Sequence, residues 1–242
     1  MVGEPKIQVT ARNGSWKLSR RNILTGMITG AALVATGRAA KAACALTPFQ
    51  VDGPFYPLAI QDYDWDLTSV SGRTGRAEGE VIEVTGQVLD AKCQPLPGSV
   101  LEVWQANVHG RYNHPGDKLT ERPLDPNFQG YARIATDKDG RYRFLTIIPG
   151  SYPAIGDWVR PRHIHFKVHA PFNPTVTTQM YFAGEPLNDK DLILAPLPPE
   201  QRASLEVSFD TVRADGIRIG VFNPTLAEGW TPPEGLVMPS AG

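Results

Sequence analysis

The feature that most limits what this chain can fold into is its punctuation. Glycine (23) and proline (22) interrupt the 242 residues so often that no long window keeps apolar residues at the 3.6-residue spacing of a helix. What survives between the interruptions is short, rich in β-branched residues and alternating. The run 81–89 is of this kind and ends in the turn Asp90-Ala-Lys-Cys-Gln-Pro-Leu-Pro-Gly98. Val100–Trp104 follows, and further strands are expected at 131–136, 141–147, 163–168, 177–182 and 204–212. Asp137-Lys-Asp-Gly140 is a hairpin turn signal; a calcium loop needs further oxygen ligands and a closing glutamate that are missing. Only Pro199–Leu205 supports a short helix, and the tail from Pro224 is expected to meander over the surface. Short strands at this spacing predict an all-β fold, an antiparallel β-sandwich.

Charge removes one class of partner. Lys+Arg number 24 against 25 Asp+Glu, a net charge of −1, so nothing draws the chain electrostatically to nucleic acid or an anionic membrane. The N-terminus reads as an address. A polar, net basic stretch leads to Ser19-Arg20-Arg21-Asn22-Ile23-Leu24, then an apolar Gly/Ala-rich run to Gly37, then Ala39-Ala-Lys41-Ala-Ala43. This pattern suits a cleaved signal rather than a membrane span, and the paired arginines resemble a twin-arginine signal. Residues 1–43 are therefore expected to engage the twin-arginine export machinery and be removed. Residues 44–242 would then form the mature domain, periplasmic or secreted and free of the membrane. In an oxidising compartment Cys44 and Cys93 are expected to pair. The rival is a lipid-modified Cys44, against which Lys41 is a poor match to an apolar lipobox.

The chemistry begins at Arg160-Pro-Arg-His163-Ile-His165-Phe166-Lys-Val168-His169. On a strand, alternate side chains share a face, so Ile164, Phe166 and Val168 point to the core and His163 and His165 project together from the other side. Two imidazoles so placed can grip one metal ion, and the spacing alone leaves iron, copper and zinc open, as well as a plain surface pair. His169 lies further along and is read as an outlying or exposed residue. Cysteine clusters and a His-Glu-x-x-His helix are both lacking. There are instead tyrosines in Gly- and Pro-marked loops, Gly110-Arg-Tyr112 and Pro149-Gly-Ser-Tyr152-Pro153, of a kind that usually serves packing.

Taken in order, several motifs resemble the intradiol ring-cleavage dioxygenases, the protocatechuate 3,4-dioxygenase group above all. They are Trp104-Gln-Ala-Asn107 with Gly110-Arg-Tyr112, Pro149-Gly-Ser-Tyr152-Pro153, and Arg160-Pro-Arg-His163-Ile-His165-Phe166. Asp52-Gly-Pro-Phe-Tyr-Pro57, Asp125-Pro-Asn-Phe128 and Thr178-Gln179-Met-Tyr181-Phe182 fit as well, and the similarity runs over about residues 44–225. The resemblance implies a non-haem Fe(III) bound by Tyr112, Tyr152, His163 and His165, whose hard anionic oxygens suit a ferric ion. It implies that Arg160 stands beside the substrate ring, with Gln179 near it. A catechol would displace Tyr152 and hand its protons to the departing ligands, and O2 would then cleave the ring to a cis,cis-muconate-type diacid. Assembly into an oligomer also fits the resemblance. The loop from Tyr152 to Arg160 is shorter than in the protocatechuate enzymes, and export is unusual for the family, so the particular catechol stays open.

A different class competes for half of these motifs. Val84-Thr-Gly-Gln-Val-Leu-Asp90, Pro95-Leu-Pro-Gly98, and Asp139-Gly-Arg-Tyr142-Arg-Phe144 with Pro149-Gly150 and Tyr152 also resemble a prealbumin-like, non-enzymatic binding module, in which such residues are turn glycines and core aromatics. That reading does not account for the histidine pair with Tyr112. A copper or zinc hydrolase or oxidase built on the two histidines is a third reading.

Overall fold

In the computed structural model, which describes residues 44–58 and 64–229, the alternating runs are strands. The leader expected at 1–43 lies outside the described residues. The strands are β1 (Val81–Gln87), β2 (Leu89–Asp90), β3 (Val100–Trp104), β4 (Tyr131–Ala135), β5 (Arg141–Ile147), β6 (Tyr152–Pro153) and β7 (Val159–Arg160). They continue with β8 (His163–His169), β9 (Val176–Phe182), β10 (Glu206–Val207), β11 (Thr211–Val212), β12 (Arg218–Val221) and β13 (Thr225–Leu226); helix α1 (Pro199–Leu205) precedes β10. One sheet has the order β11-β12-β1-β5 and the other β10-β9-β8-β3-β4, with two-stranded ladders β13-β2 and β6-β7 beside them.

The sheets face one another across an apolar core. Ile82, Val84 and Phe144 come from the first sheet, and Leu101, Val103, Ile164, Phe166, Val168 and Met180 from the second. The Phe166 ring lies 6.0 Å from that of Phe144 and 4.9 Å from that of Phe222. Each large apolar side chain buried this way contributes about 1.5–3 kcal/mol. A one-residue slip of β8 would exchange three of them for two imidazoles and a lysine, so packing pins the register that turns His163 and His165 outward. The module-like residues work inside this frame: Tyr142 is buried and its hydroxyl donates to the Phe222 carbonyl at 2.6 Å.

Three expectations need correction. The stretch 204–212 is not one strand, because α1 runs to the buried Leu205, β10 then pairs with β9, and β11 crosses to pair with β12 in the other sheet. The pairing is not wholly antiparallel: β1–β12, β9–β10 and β2–β13 run parallel. Alternation reports which face is buried and carries no information about strand direction. Nor does the tail simply meander, since Leu226 is fully buried and β13 pairs with β2. Cys44 and Cys93 form a disulfide, S–S 2.03 Å, tying the start of the described chain to the turn after β2.

Candidate metal centre

Register places a row of side chains on the outer face of the second sheet. Tyr131 pairs with Trp104, Trp104 with His165, and His165 with Gln179, while His163 pairs with Tyr181. The Trp104 ring stacks on His165 at 4.7 Å and 5°, which sets that imidazole's plane. His163 is oriented by its backbone surroundings: Nδ1 meets the Pro161 carbonyl at 2.6 Å. Nδ1 therefore carries the proton and donates, leaving the Nε2 lone pair free.

Two loops bring the tyrosines to that lone pair. Their hydroxyl oxygens stand 3.4 Å (Tyr112) and 3.5 Å (Tyr152) from His163 Nε2. The four rings form a closed circuit: Tyr112–Tyr152 5.5 Å, Tyr152–His163 5.6 Å, His163–His165 4.9 Å and His165–Tyr112 6.3 Å between centroids. All four are buried.

The glycines in the tyrosine motifs let the two loops touch backbone to backbone. A Cβ on Gly150 would collide with Gly110 N and Val108 O, and one on Gly110, whose φ is +74°, with Ser151 O. Asn107 is the hub: its carbonyl accepts from Gly110 N (3.0 Å) and Gly150 N (2.9 Å), and its Oδ1 from His109 N and Arg111 N. Arg122 Nη1 closes the joint by donating to the His109 and Ser151 carbonyls. The Tyr112 amide donates to buried Asp117 Oδ2 at 2.7 Å. Gln105 is held at the end of β5, donating to the Ile147 carbonyl and accepting from Thr146. The segment at 52–56 covers the site, with Phe55 4.7 Å from Tyr112 between ring centroids and Asp52 anchored by Lys167 at 2.9 Å. Asp125, by contrast, serves a turn, accepting from Glu78 N and Asn127 N.

Arg160 reaches the site because β6 and β7 are the arms of a hairpin in which Tyr152 and Arg160 are directly opposite. Its guanidinium is held on three sides. Nε donates to Asp191 Oδ2 at 2.8 Å, Nη2 to Gln179 Oε1 at 2.6 Å, and Cζ lies 5.2 Å from the centroid of Trp158. Gln179 is thus fully buried and anchors Arg160. His169 stands apart, touching Thr175 and Glu102. Asp191, Trp158 and Phe55 are site residues that the sequence reading did not single out. Phe55 sits in a quoted motif; Asp191 and Trp158 carry no such signal, because what makes them matter is a contact across the fold.

Burial governs the protonation of these groups. It raises the Tyr112 hydroxyl well above its ordinary pKa, and the neighbouring Tyr152 adds to this. It raises Tyr152 too, but there the Arg160 charge pulls the other way. Burial and then Arg160 hold both histidines well below the usual range, so both imidazoles are neutral and able to ligate. Among the described residues no cluster of three His, Cys, Asp or Glu side chains can hold a metal. Two phenol oxygens at Nε2 of His163, with the His165 ring 4.9 Å from that of His163 and its Nδ1 buried without a partner, are a donor set suited to a hard trivalent ion. These residues fit iron(III). Tyr152 and Arg160 also border a cavity of about 470 Å³.

Comparison with known proteins identifies the family. The family profile described as "Dioxygenase" matches residues 51–220. The protocatechuate 3,4-dioxygenase beta chain of Burkholderia cepacia is 47% identical over 154 residues, covering 61% of this chain and 65% of that one. Catechol 1,2-dioxygenase of Acinetobacter baylyi is 31% identical over 162 residues, covering 62% of this chain and 50% of that one. The chain thus matches less than two thirds of the length of either relative. Among solved structures, the dioxygenase domain of a dioxygenase–carbohydrate-binding fusion from Streptomyces sp. SirexAA-E superposes with a TM-score of 0.57 at 32% identity, over 76% of this chain and all of that one. On the matched profile, the sandwich and these relatives, the chain belongs to the intradiol dioxygenase family.

Proposed function

We propose that this protein is an intradiol dioxygenase that uses iron(III) and O2 to open the ring of a catechol between its two hydroxyl-bearing carbons, giving a cis,cis-muconate-type diacid. One observation carries the reading: Tyr112, Tyr152, His163 and His165 close a buried circuit of oxygen and nitrogen donors around the free Nε2 lone pair of His163. Tyr112, Tyr152, His163 and His165 would hold iron(III), which would supply a Lewis acid for activating a catecholate toward O2. The chain's residues do the rest. Tyr152, which borders the cavity with its oxygen beside Arg160, would be a tyrosinate as a metal ligand and on leaving the metal would take up a catechol proton, becoming the neutral phenol that burial favours. Arg160, fixed by Asp191 and Gln179, presents a permanent cation where negative charge grows on the ring. Phe55 and the hairpin line the cavity in which the ring would sit.

Iron-loaded protein is expected to be burgundy to red from tyrosinate-to-iron charge transfer, and the band should shift when catechol is added. Tyr112→Phe, which removes one oxygen and little volume, should lose most of the band and most of the metal, read by visible absorption and metal analysis. A colourless wild-type protein carrying a full equivalent of iron would sink the ligand assignment. We also propose export through the twin-arginine route to an oxidising compartment; the Cys44–Cys93 disulfide supports it. Oligomeric assembly is proposed from family membership, a relative being named as one chain of an alpha–beta enzyme.

A further inference from the structure

The cavity beside Tyr152 and Arg160 is larger than one aromatic ring requires. Its volume of about 470 Å³ is roughly three times the ~150 Å³ that accommodates benzene in an apolar protein cavity. A catechol ring seated at Tyr152 and Arg160 leaves the larger part for whatever the ring carries. The walls of that remainder include Val51, Leu119, Pro153, Ala154, Ile155 and Ile193. Asp117 and Arg160 on the lining are already engaged, and Lys118 is exposed with a backbone carbonyl as its partner. Asp117 accepts from the Tyr112 and Leu119 amides, Arg160 is paired with Asp191 and Gln179, and Lys118 Nζ donates to the Pro115 carbonyl at 2.8 Å. Ile155 is nevertheless 80% exposed and Val51 56% exposed, so the mouth holds apolar surface against water.

We propose that this outer part of the cavity is a binding subsite for an apolar substituent, so that the preferred substrates are catechols bearing an alkyl or aryl group. The inference rests on the ring-cleavage reading above and names its substrate class. Two opposing effects decide it. An aryl group entering the mouth takes the exposed faces of Ile155 and Val51 out of water, which is favourable in proportion to the apolar area covered. A carboxylate entering the same space loses hydration, and the one lining cation without a carboxylate partner, Lys118, is exposed, where an ion pair screened by water returns little. The short hairpin between Tyr152 and Arg160, whose tip carries Ala154, Ile155 and Trp158, builds one side of the subsite.

The test compares 4-phenylcatechol, catechol and protocatechuate, which carries a carboxylate, on the iron-loaded full chain, together with calorimetric binding of the first and third to the metal-free protein. 4-Phenylcatechol is expected to exceed catechol in kcat/KM by about 10-fold or more, and protocatechuate to fall below catechol by a similar factor. Ile155→Arg changes an exposed side chain and should lower the ratio of 4-phenylcatechol to protocatechuate by about 10-fold. Preference for protocatechuate, lost in Lys118→Ala, would overturn the proposal and make the cavity a carboxylate site. Equal kcat/KM for all three would overturn it too. Failure to cleave any of the three would overturn the ring-cleavage reading instead. Calorimetry then decides the subsite alone: 4-phenylcatechol binding about 10-fold tighter than protocatechuate supports it, and equal binding overturns it.

Discussion

A guanidinium only 4% exposed, as Arg160 is, survives inside a protein because something answers its charge. Asp191, fully buried, does so through Oδ2, while its Oδ1 accepts from the Ile193 and Leu194 amides. One carboxylate therefore positions the cation beside Tyr152 and also a wall of the cavity, Ile193. Asp191→Asn keeps the acceptor for those amides but aims an NH2 group at the Nε–H of Arg160. Removing one partner of a buried pair costs about 3–5 kcal/mol, and a misplacement near 1 Å at a reacting centre costs about 100-fold in rate. The variant should thus melt earlier and lose about 100-fold in kcat while keeping its iron–tyrosinate absorption. Asp191→Glu, which restores the charge, should recover part of the rate. Loss of the absorption band together with the rate would mean that Asp191 merely holds the fold. Nothing in the sequence around Asp191 marks it. It follows a one-turn helix at Asn188–Lys190 and lies 31 residues from its partner.

At the scale of elements, the site joins strand β8 to the loop of Tyr112 and the short β6–β7 hairpin, and they were unequally legible. β8 could be read directly, since Ile164, Phe166 and Val168 alternate with His163 and His165, and burial of the first set dictates the direction of the second. No periodicity speaks for Tyr112, in a loop, or for Tyr152, on the two-residue β6, because neither stretch is long enough to show one; their motifs came from resemblance, and the physical reason for those motifs is visible only in three dimensions. Gly110 and Gly150 are where the two tyrosine loops press together, so the pair of loops behaves as one element. Gly150→Ala forces them apart. Overpacking of this kind costs about 1–3 kcal/mol, which a sandwich of this size should survive. The shift falls on both tyrosines together, so the folded variant should bind iron weakly and show little of the charge-transfer band. Circular dichroism reports the fold, and metal analysis the site; native iron content in Gly150→Ala would show that the loops can yield without moving their tyrosines. The segment 204–212 illustrates the opposite failure: its apolar residues read as one strand, but Pro198 and Pro199 open a helix that buries Leu205, and the chain then changes sheets.

At the scale of the whole molecule, the Cys44–Cys93 bond connects stability to compartment. It closes a loop between residues 49 apart in sequence, and the chain-entropy estimate for such a loop is about 4 kcal/mol at 25 °C. For a domain of this size each kcal/mol is worth about 2–4 °C in Tm. Reduction should therefore lower Tm by about 8–16 °C, while the iron–tyrosinate band, which reports Tyr112 and Tyr152, should persist in the folded reduced protein. A chain held in the reducing cytoplasm would be the less stable form, and one exported through the twin-arginine route would gain the bond on arrival. Changing Arg20 and Arg21 to lysine separates the two. The double variant should stay in the cytoplasmic fraction with both thiols open to alkylation and the lower Tm, while wild-type protein from the periplasm should have neither thiol available. Wild-type protein found in the cytoplasm with both thiols free would refute the export assignment. An unchanged Tm on reduction would leave export standing but remove the stability argument for it, since the sandwich would then owe nothing to the oxidising compartment.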